Sequence, residues 1–248
     1  MAILDVKNVS IRYIIGDFKE IGLKDYLLRR LRGEYQVQEF WADREISFSL
    51  ERGDMLGIIG INGAGKSTLL KAIAGIMEPT EGSVKTEGTV AALLELTSGF
   101  DGDLTVRENI YLRGSMLGYS RRFLDEIYRE VLEFSELTHV ESRPFRQLSS
   151  GMQSRLAFAI VSFVRPDILI LDEVLAVGDG AFRAKSEEKM KQIIYGGATT
   201  ILVSHDLEQI RAMCSKVLWL DRGKQVAFGA DVQQICDRYE AFLQGECL

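Results

Sequence analysis

The stretch MLGIIGINGAGKSTLLKAIA, residues 55–74, joins a short apolar run, a glycine-rich loop and a segment with helical apolar spacing. This order predicts a buried strand, a phosphate-binding loop and a helix, which together make a P-loop. The glycines let backbone N–H groups wrap around phosphate oxygens, and the helix N-terminus adds partial positive charge. The alternative is a tight strand-to-helix turn with a coincidental lysine, and the completeness of the pattern disfavours it.

Each residue of this loop has a predicted role toward a nucleotide. Lys66 is expected to reach the β- and γ-phosphates, and the Ser67 hydroxyl is expected to bind Mg²⁺. The other predicted nucleotide-binding residues of the loop are Gly60, Asn62, Gly63, Ala64, Gly65 and Thr68. Kinases, GTPases and ATP-driven machines all use such a loop, so the loop alone leaves the class open.

A second apolar run, Ile168–Leu171, leads directly into two acidic residues, Asp172 and Glu173. The run predicts a buried parallel strand, and in open α/β sheets the ligand lies at the carboxyl ends of such strands. Hydrolysis of a phosphoanhydride needs one carboxylate that holds Mg²⁺ and another that orients the attacking water. We therefore expect Asp172 to bind the metal and Glu173 to be catalytic, with a plain surface turn as the alternative.

Composition limits the class of protein. The chain has 248 residues, a formal net charge of −6 and 46% hydrophobic residues, which predict one globular, soluble domain without a nucleic-acid partner. No apolar run approaches the length of about 20 residues that spans a bilayer, and the N-terminus lacks a secretory signal, so we expect a cytosolic chain. The three cysteines form no CxxC pair and are expected to be ordinary thiols; they are Cys214, Cys236 and Cys247.

Three further motifs choose among the P-loop classes. QLSSGMQ, residues 147–153, precedes an apolar helical stretch from Leu156 to Val164 and lies upstream of the acidic strand. Asp179 follows that strand, and residues 204–206, Ser-His-Asp, follow a predicted strand at Thr200–Val203. Together with the P-loop, these motifs resemble in type and order those of the ATP-binding cassette (ABC) family, and the resemblance covers nearly the whole chain.

The resemblance implies an α/β fold of the P-loop NTPase type, with a mixed-sheet core, an antiparallel β subdomain and an α-helical subdomain. It implies a single domain over residues 1–248, in which 104–150 form the helical subdomain and 16–40 an insertion. Apolar residues at helical spacing support the helical subdomain, namely Phe123, Ile127, Val131 and Leu132.

The resemblance also implies ATP and Mg²⁺ as cofactors and a homodimer closed by two nucleotides. The signature residues Ser149, Ser150 and Gly151 would start a helix and bind the γ-phosphate held by the opposite copy. Asp179 stands in the place of the family's D-loop. His205 would contact the γ-phosphate and hold the water-orienting carboxylate.

An aromatic residue for the base is expected near the N-terminus. Tyr13, after the first predicted strand in the segment VSIRY, matches the adenine-stacking aromatic of the family. A tyrosine at a strand end also commonly serves packing, and the nearby Phe40 and Trp41 are candidates for the core.

Three departures from the general family pattern carry further information, and the third is that the signature has Ser150 and Met152 in place of the commoner glycine and glutamine. Residues 16–40 stand before the predicted strand Ile46–Leu50, where many family members have a short turn. They predict a short amphipathic basic helix, which would lie at the cytosolic membrane surface, against a membrane partner, or over the core. Its residues are Leu23, Leu27, Leu28 and Leu31 with Lys24, Arg29, Arg30 and Arg32. The second departure is that residues 91–100 lack the family's Mg²⁺-sensing glutamine, which leaves Glu95 as the nearest polar candidate for the metal.

The motifs LLEL at 93–96, GF at 99–100, RENI at 107–110 and EVLAVGD at 173–179 resemble the ATPase subunits of polysaccharide exporters. Those of the O-antigen type match best, and capsule and teichoic-acid exporters are relatives. This subgroup implies export of undecaprenyl-linked polysaccharide through two copies of a separate permease, with the ATPase on the cytoplasmic side of the inner membrane.

The family resemblance also gives expectations about the C-terminus and the permease contacts, and it leaves competing functions open. Because the chain stops at Leu248, soon after the predicted helix Val232–Phe242, no C-terminal carbohydrate-binding domain is expected. Phe100 and Tyr111 are the candidate permease contacts. A soluble cassette ATPase of repair or translation, a cassette importer and a drug exporter are the competing functions.

Overall fold

The computed structural model describes residues 2–15, 38–93, 99–164, 166–172 and 180–245. Within these ranges nine strands form one sheet in the order β4-β1-β2-β9-β8-β3-β7-β6-β5. The strands are β1 Ala2–Ile15, β2 Gln38–Glu51, β3 Met55–Ile59, β4 Glu81–Thr86, β5 Val90–Ala92, β6 Ile168–Asp172, β7 Thr199–Val203, β8 Lys216–Asp221 and β9 Lys224–Gly229. The helices are α1 Lys66–Ile73, α2 Val106–Met116, α3 Arg121–Ser135, α4 Ser150–Phe163, α5 Gly180–Tyr195, α6 Leu207–Met213 and α7 Val232–Leu243.

The centre of the sheet is parallel and covered on both faces. Strands β5, β6, β7, β3 and β8 run parallel to one another, and every residue of β3 and β7 is buried. Such strands are continuous apolar runs because neither face meets water. Successive residues alternate between faces, so Ile168 and Ile170 pack toward α1 and β1, whereas Leu169 and Leu171 pack toward α4, α5 and α7. The predicted strands at 55–59, 168–171 and 200–203 are thereby confirmed.

The antiparallel part of the sheet differs from the sequence prediction in two ways. Strands β1 and β2 pair from Ala2 opposite Glu51 to Ile15 opposite Gln38, so β2 begins at Gln38 rather than near Ile46. Residues 38–40, which were assigned to the insertion, are therefore strand, and residues 16–37 lie outside the described residues. Tyr13 also lies within β1 rather than after it.

The polar stretch Asp43-Arg44-Glu45 explains why the start of β2 was missed. It interrupts the apolar alternation that identifies a strand, and Glu45 takes a positive φ of 54° beside a shift of register with β1. Backbone pairing with β1 nevertheless continues on both sides of this irregularity. A single parallel pair, Arg44 with Lys224, joins β2 to β9 and so connects the antiparallel strands to the parallel core.

Helices α2, α3 and α4 pack around their own hydrophobic cluster, which reaches from Val106 to Val164. Of the apolar residues predicted on α3, Ile127, Val131 and Leu132 are buried, and Phe123 packs against the cluster from its edge. Among the described residues, none of the helices combines the length and the apolar character needed to cross a bilayer.

Candidate nucleotide-binding site

The glycine-rich loop joins β3 to α1 and is closely packed from below. Gly65 precedes α1 with a φ of 104°, a left-handed conformation that favours glycine. A Cβ at this position would collide with the Asp43 carboxyl group and approach the Ala42 carbonyl oxygen to 2.9 Å. A Cβ at Gly60 would collide with the Leu220 carbonyl oxygen. The loop therefore needs these two glycines because β2 and β8 pass directly beneath it.

The ammonium group of Lys66 lies back over the loop. Its Nζ donates to the carbonyl oxygen of Gly60 at 2.6 Å and to that of Ile61 at 3.1 Å, and the side chain is buried. An ammonium group at this position is suited to hold an anion such as a phosphate, since charge-assisted hydrogen bonds are roughly twice as strong as neutral ones.

A cavity of about 380 Å³ opens over the loop and is lined by Tyr13, Phe40, Ala42 and residues 62–68. The structure therefore places Tyr13 and the P-loop around the same cavity. The Tyr13 hydroxyl donates to the Met77 sulfur at 3.7 Å. Phe40 also lines the cavity and is 53% exposed, so the interpretation of Phe40 as a core residue is wrong.

Trp41 points away from Phe40 because adjacent residues of a strand alternate between its faces. Its ring lies beneath the guanidinium groups of Arg12 and Arg44, with centroid distances of 5.4 and 5.2 Å. The two neighbouring aromatic residues thus do different things, and only Phe40 borders the loop.

The carboxyl ends of three parallel strands meet beside the loop. Val203 of β7 is in register with Ile58 of β3 on one side and with Asp172 of β6 on the other. The residues that follow these strands therefore lie at one edge of the sheet, where ligands of such folds bind. Glu173, Asp179 and Glu95 lie outside the described residues, as do the predicted basic helix and Cys247.

His205 reaches the loop from β7. Together with Ser204, Leu207, Tyr239 and Leu243 it lines a second cavity of about 270 Å³, which residues 60–62 of the loop also line. The turn is fixed by local hydrogen bonds, since the Ser204 hydroxyl donates to Gln209 Oε1 at 2.8 Å and accepts the Asp206 backbone N–H at 3.1 Å.

The helix after His205 is also held in place. The Asp206 carboxylate caps α6 by accepting the backbone N–H groups of Glu208 and Gln209. Arg211 of α6 then contacts two carboxylates of α7, Asp237 at 2.8 Å and Glu240 at 2.9 Å. His205 therefore sits in a turn whose following helix is tied to α7.

The signature residues lie elsewhere on the surface. Ser149 caps α4, its hydroxyl accepting the Met152 backbone N–H at 3.3 Å, and helix α4 begins at Ser150 as the sequence predicted. Ser149, Ser150 and Gly151 are exposed, and a Cβ at Gly151 would have open space around it. None of these residues lines either cavity beside the P-loop, so one copy of the described chain does not bring the two motifs together.

Asp43 is a notable residue that sequence reasoning missed. Its side chain is completely buried, and among the described residues neither carboxyl oxygen has a hydrogen-bond partner. Burial raises the pKa of this carboxyl group from 3.8 to about 7. The sequence around Asp43 gives no local signal of this burial, because it depends on the pairing of β2 with β1 and on the packing of the loop.

Comparison with known proteins places these features in a class. Residues 44–176 match the model of the ABC transporter family. The chain belongs to this family, and membership implies that it binds ATP.

Three named relatives are similar in sequence to most of this chain. It is 38% identical to the O-antigen export system ATP-binding protein RfbB of Klebsiella pneumoniae, over 96% of this chain and 97% of that protein. It is 41% identical to the teichoic acids export ATP-binding protein TagH of Bacillus anthracis, over 90% of this chain but only 39% of that longer protein. It is also 43% identical to an RfbB protein of Myxococcus xanthus, over 88% of this chain and 50% of that protein.

Solved structures support the fold. An ATP-binding subunit of an ABC transporter superposes with a TM-score of 0.69 at 24% identity, covering 96% of this chain and 93% of that one. A dimeric ATP-binding cassette in a post-hydrolysis state with ADP and phosphate gives a TM-score of 0.67 at 21% identity, covering 92% of this chain and 98% of that one. The predicted P-loop ABC ATPase fold is confirmed.

Proposed function

We propose that the chain is the ATP-hydrolysing subunit of an exporter of undecaprenyl-linked polysaccharide and works as a homodimer with a separate permease. The observation that carries the ATPase chemistry is the cavity in which Tyr13 faces the P-loop. The relatives named for O-antigen and teichoic acid export support the polysaccharide substrate. An O-antigen polymer is preferred because the motifs at 93–96, 99–100, 107–110 and 173–179 resemble the O-antigen type best, and a teichoic-acid or capsule polymer is the alternative.

The cavity suits a nucleoside triphosphate. Backbone N–H groups of residues 62–68 and the N-terminus of α1 favour phosphate oxygens, because both present partial positive charge. Lys66 would exchange its loop carbonyl acceptors for phosphate oxygens. Tyr13 would stack on the base, since an aromatic face offers a large apolar contact to another ring.

Ser67 and Asp172 are the residues that would hold Mg²⁺. Ser67 lines the cavity. Asp172 is the last residue of β6, and the carboxyl end of this strand lies at the edge of the sheet beside the loop. Both supply oxygen ligands, which Mg²⁺ prefers. When bound, the ion neutralises charge on the phosphate oxygens. Glu95 is a weaker candidate, on sequence alone.

Glu173 follows Asp172 directly and is the proposed general base, accepting a proton from the attacking water. His205 would contact the γ-phosphate and hold Glu173 in position. The cavity shared by His205 and residues 60–62 supports this role, because it brings the imidazole to the wall of the loop.

The dimer would complete each nucleotide site. Ser149, Ser150 and Gly151 are exposed at the start of α4, where a helix N-terminus favours an anion, yet they do not line the cavities of their own chain. We infer that they bind the nucleotide held by a second copy, with Asp179 at the same interface. The γ-phosphate would then favour the closed dimer, and hydrolysis would release it.

The proposed location at the membrane and the proposed permease contacts rest on the sequence. The chain would lie at the cytoplasmic side of the inner membrane, bound to two permease copies, with the basic residues of 16–37 facing the membrane or the permease. Phe100 and Tyr111 are weak candidates for permease contact. Each already has an internal partner, since Phe100 stacks on Phe145 at 4.4 Å and the Tyr111 hydroxyl donates to Asp125 at 2.7 Å.

The Glu173→Gln variant tests the ATPase proposal. We expect ATP binding to persist and turnover to fall by about 10² to 10⁴-fold, the usual contribution of a positioned general base. Near-normal hydrolysis would remove Glu173 from this role. Co-purification with the candidate permease from membranes tests the transport role, and a chain that stays off the membrane would favour a cassette ATPase without a transport function.

A further inference from the structure

Two aromatic residues line the nucleotide cavity together with the loop residues. Tyr13 of β1 and Phe40 of β2 are directly opposite each other in the antiparallel pairing. Side chains at opposed positions lie on the same face of the sheet, with Cβ atoms about 4.5 to 5.5 Å apart. Both residues line the cavity over residues 62–68. The two side chains therefore extend from neighbouring positions of the sheet along one wall of the cavity.

The surroundings of Phe40 show that its position in the sheet is well defined. Glu39, on the opposite face, accepts a hydrogen bond from Arg12 at 2.9 Å, and Trp41 is covered by the Arg12 and Arg44 guanidinium groups. These contacts hold both neighbours on the other side of the strand. Phe40 is consequently directed to the cavity side, where it is 53% exposed. An exposed phenylalanine gains favourable free energy when a ligand covers it.

We propose that Phe40 is a second base-contacting residue, so that the base of the nucleotide packs against a wall of two rings, Tyr13 and Phe40. This inference rests on the proposed ATP site. Each ring adds apolar area to the contact, and the Phe40 ring has no hydrogen-bonding group with which to read the base. The wall therefore favours purines over pyrimidines, because the larger purine ring system makes more apolar contact. Phe40 adds affinity without distinguishing ATP from GTP.

Binding measurements on Phe40→Ala with ATP and with inorganic tripolyphosphate test the inference, because the second probe has the phosphates without a base. Removal of one stacked ring should weaken ATP binding by about 5- to 100-fold, the range for loss of a base–aromatic contact. Tripolyphosphate binding should stay within twofold. The matched control is Ile14→Ala, which removes a 54% exposed apolar side chain from the neighbouring position of β1, outside the cavity, and should change neither affinity.

Several outcomes would overturn the inference. If Phe40→Ala bound ATP within twofold of the unaltered chain while Tyr13→Ala bound it weakly, the base would rest on Tyr13 alone and the ATP site itself would stand. If Phe40→Ala lost both ligands, Phe40→Leu decides, since it keeps an apolar side chain without a ring. Weak ATP binding with unchanged tripolyphosphate binding in that variant supports the wall, and equal loss of both refutes it. An unaltered chain that bound neither ligand would refute the proposed function as well.

Discussion

The buried Asp43 carboxyl group should make the stability of the fold depend on pH. The native pKa of about 7 exceeds the ordinary value of 3.8, because burial of the carboxyl group disfavours its charged form. Between these two values the folded chain holds a proton that the unfolded chain has released. The free energy of unfolding therefore falls as the pH rises from about 4 to about 7.

The size of the effect follows from the difference between the two pKa values. Over the whole range it approaches about 4 kcal/mol, at 1.36 kcal/mol for each pKa unit. Between pH 5 and pH 8, where folding is readily measured, the contribution of Asp43 is about 2.5 kcal/mol. An asparagine side chain carries no charge at either pH, so Asp43→Asn should remove this dependence while keeping the size of the side chain.

Urea unfolding of the unaltered chain and of Asp43→Asn, at pH 5 and at pH 8, measures the effect. The stability of the variant relative to the unaltered chain should rise by about 2.5 kcal/mol between the two pH values. Other titrating groups cancel in this comparison because both chains contain them. Asp103→Asn, at an exposed loop position, provides the matched control. Equal pH dependence for Asp43→Asn and the unaltered chain would refute the raised pKa of a buried Asp43 carboxyl group.

Two further predictions concern local structure. Thr105→Ala removes a capping box at the start of α2, in which Thr105 Oγ1 accepts the Glu108 N–H at 3.2 Å and Glu108 Oε2 accepts the Thr105 N–H at 2.8 Å. Thermal unfolding should show that the variant is about 1 kcal/mol less stable. An unchanged melting temperature would contradict the cap. Gly63→Ala and Gly65→Ala both place a side chain at positive φ, but only the second collides with Asp43 and Ala42. Gly63→Ala should lower the free energy of unfolding by about 1 to 2 kcal/mol. Gly65→Ala should lower it clearly more and should also abolish nucleotide binding. Equal losses of stability in the two variants would contradict the close packing under the loop.

The elements that could be predicted from the sequence are those whose own residues form a clear local pattern. Strands β3, β6 and β7 are buried on both faces, so their apolar runs are uninterrupted. Helix α7 extends one residue beyond the predicted range of 232–242. Helix α4 begins at Ser150, before the apolar stretch at 156–164, because its first turn is a polar surface that Ser149 caps.

The parts that were missed depend on contacts between distant segments. The start of β2 has no clear apolar alternation, and its pairing with β1 makes it a strand. The same pairing places Phe40 beside Tyr13, although residues 14–39 separate the two along the chain. The Asp43 carboxyl group, which has no hydrogen-bond partner among the described residues, is covered in part by the distant Gly65. Local patterns in a single sequence do not contain these relationships.

The central claim is that each nucleotide is held between the P-loop of one copy and the signature of another. Two inactive variants test it together: Lys66→Ala removes the P-loop ammonium, and Gly151→Asp adds a negative charge to the signature at a position where a Cβ meets open space. A mixed dimer of the two contains one site with both motifs intact and one with both altered.

The decisive measurement is the ATPase rate of the mixture, compared with that of each variant alone at the same total concentration. Each variant alone should be inactive. The mixture should recover up to about a quarter of the unaltered rate, because random pairing makes half of the dimers mixed and each of these has one of its two sites intact. A mixture that stays as inactive as its components would contradict the shared site.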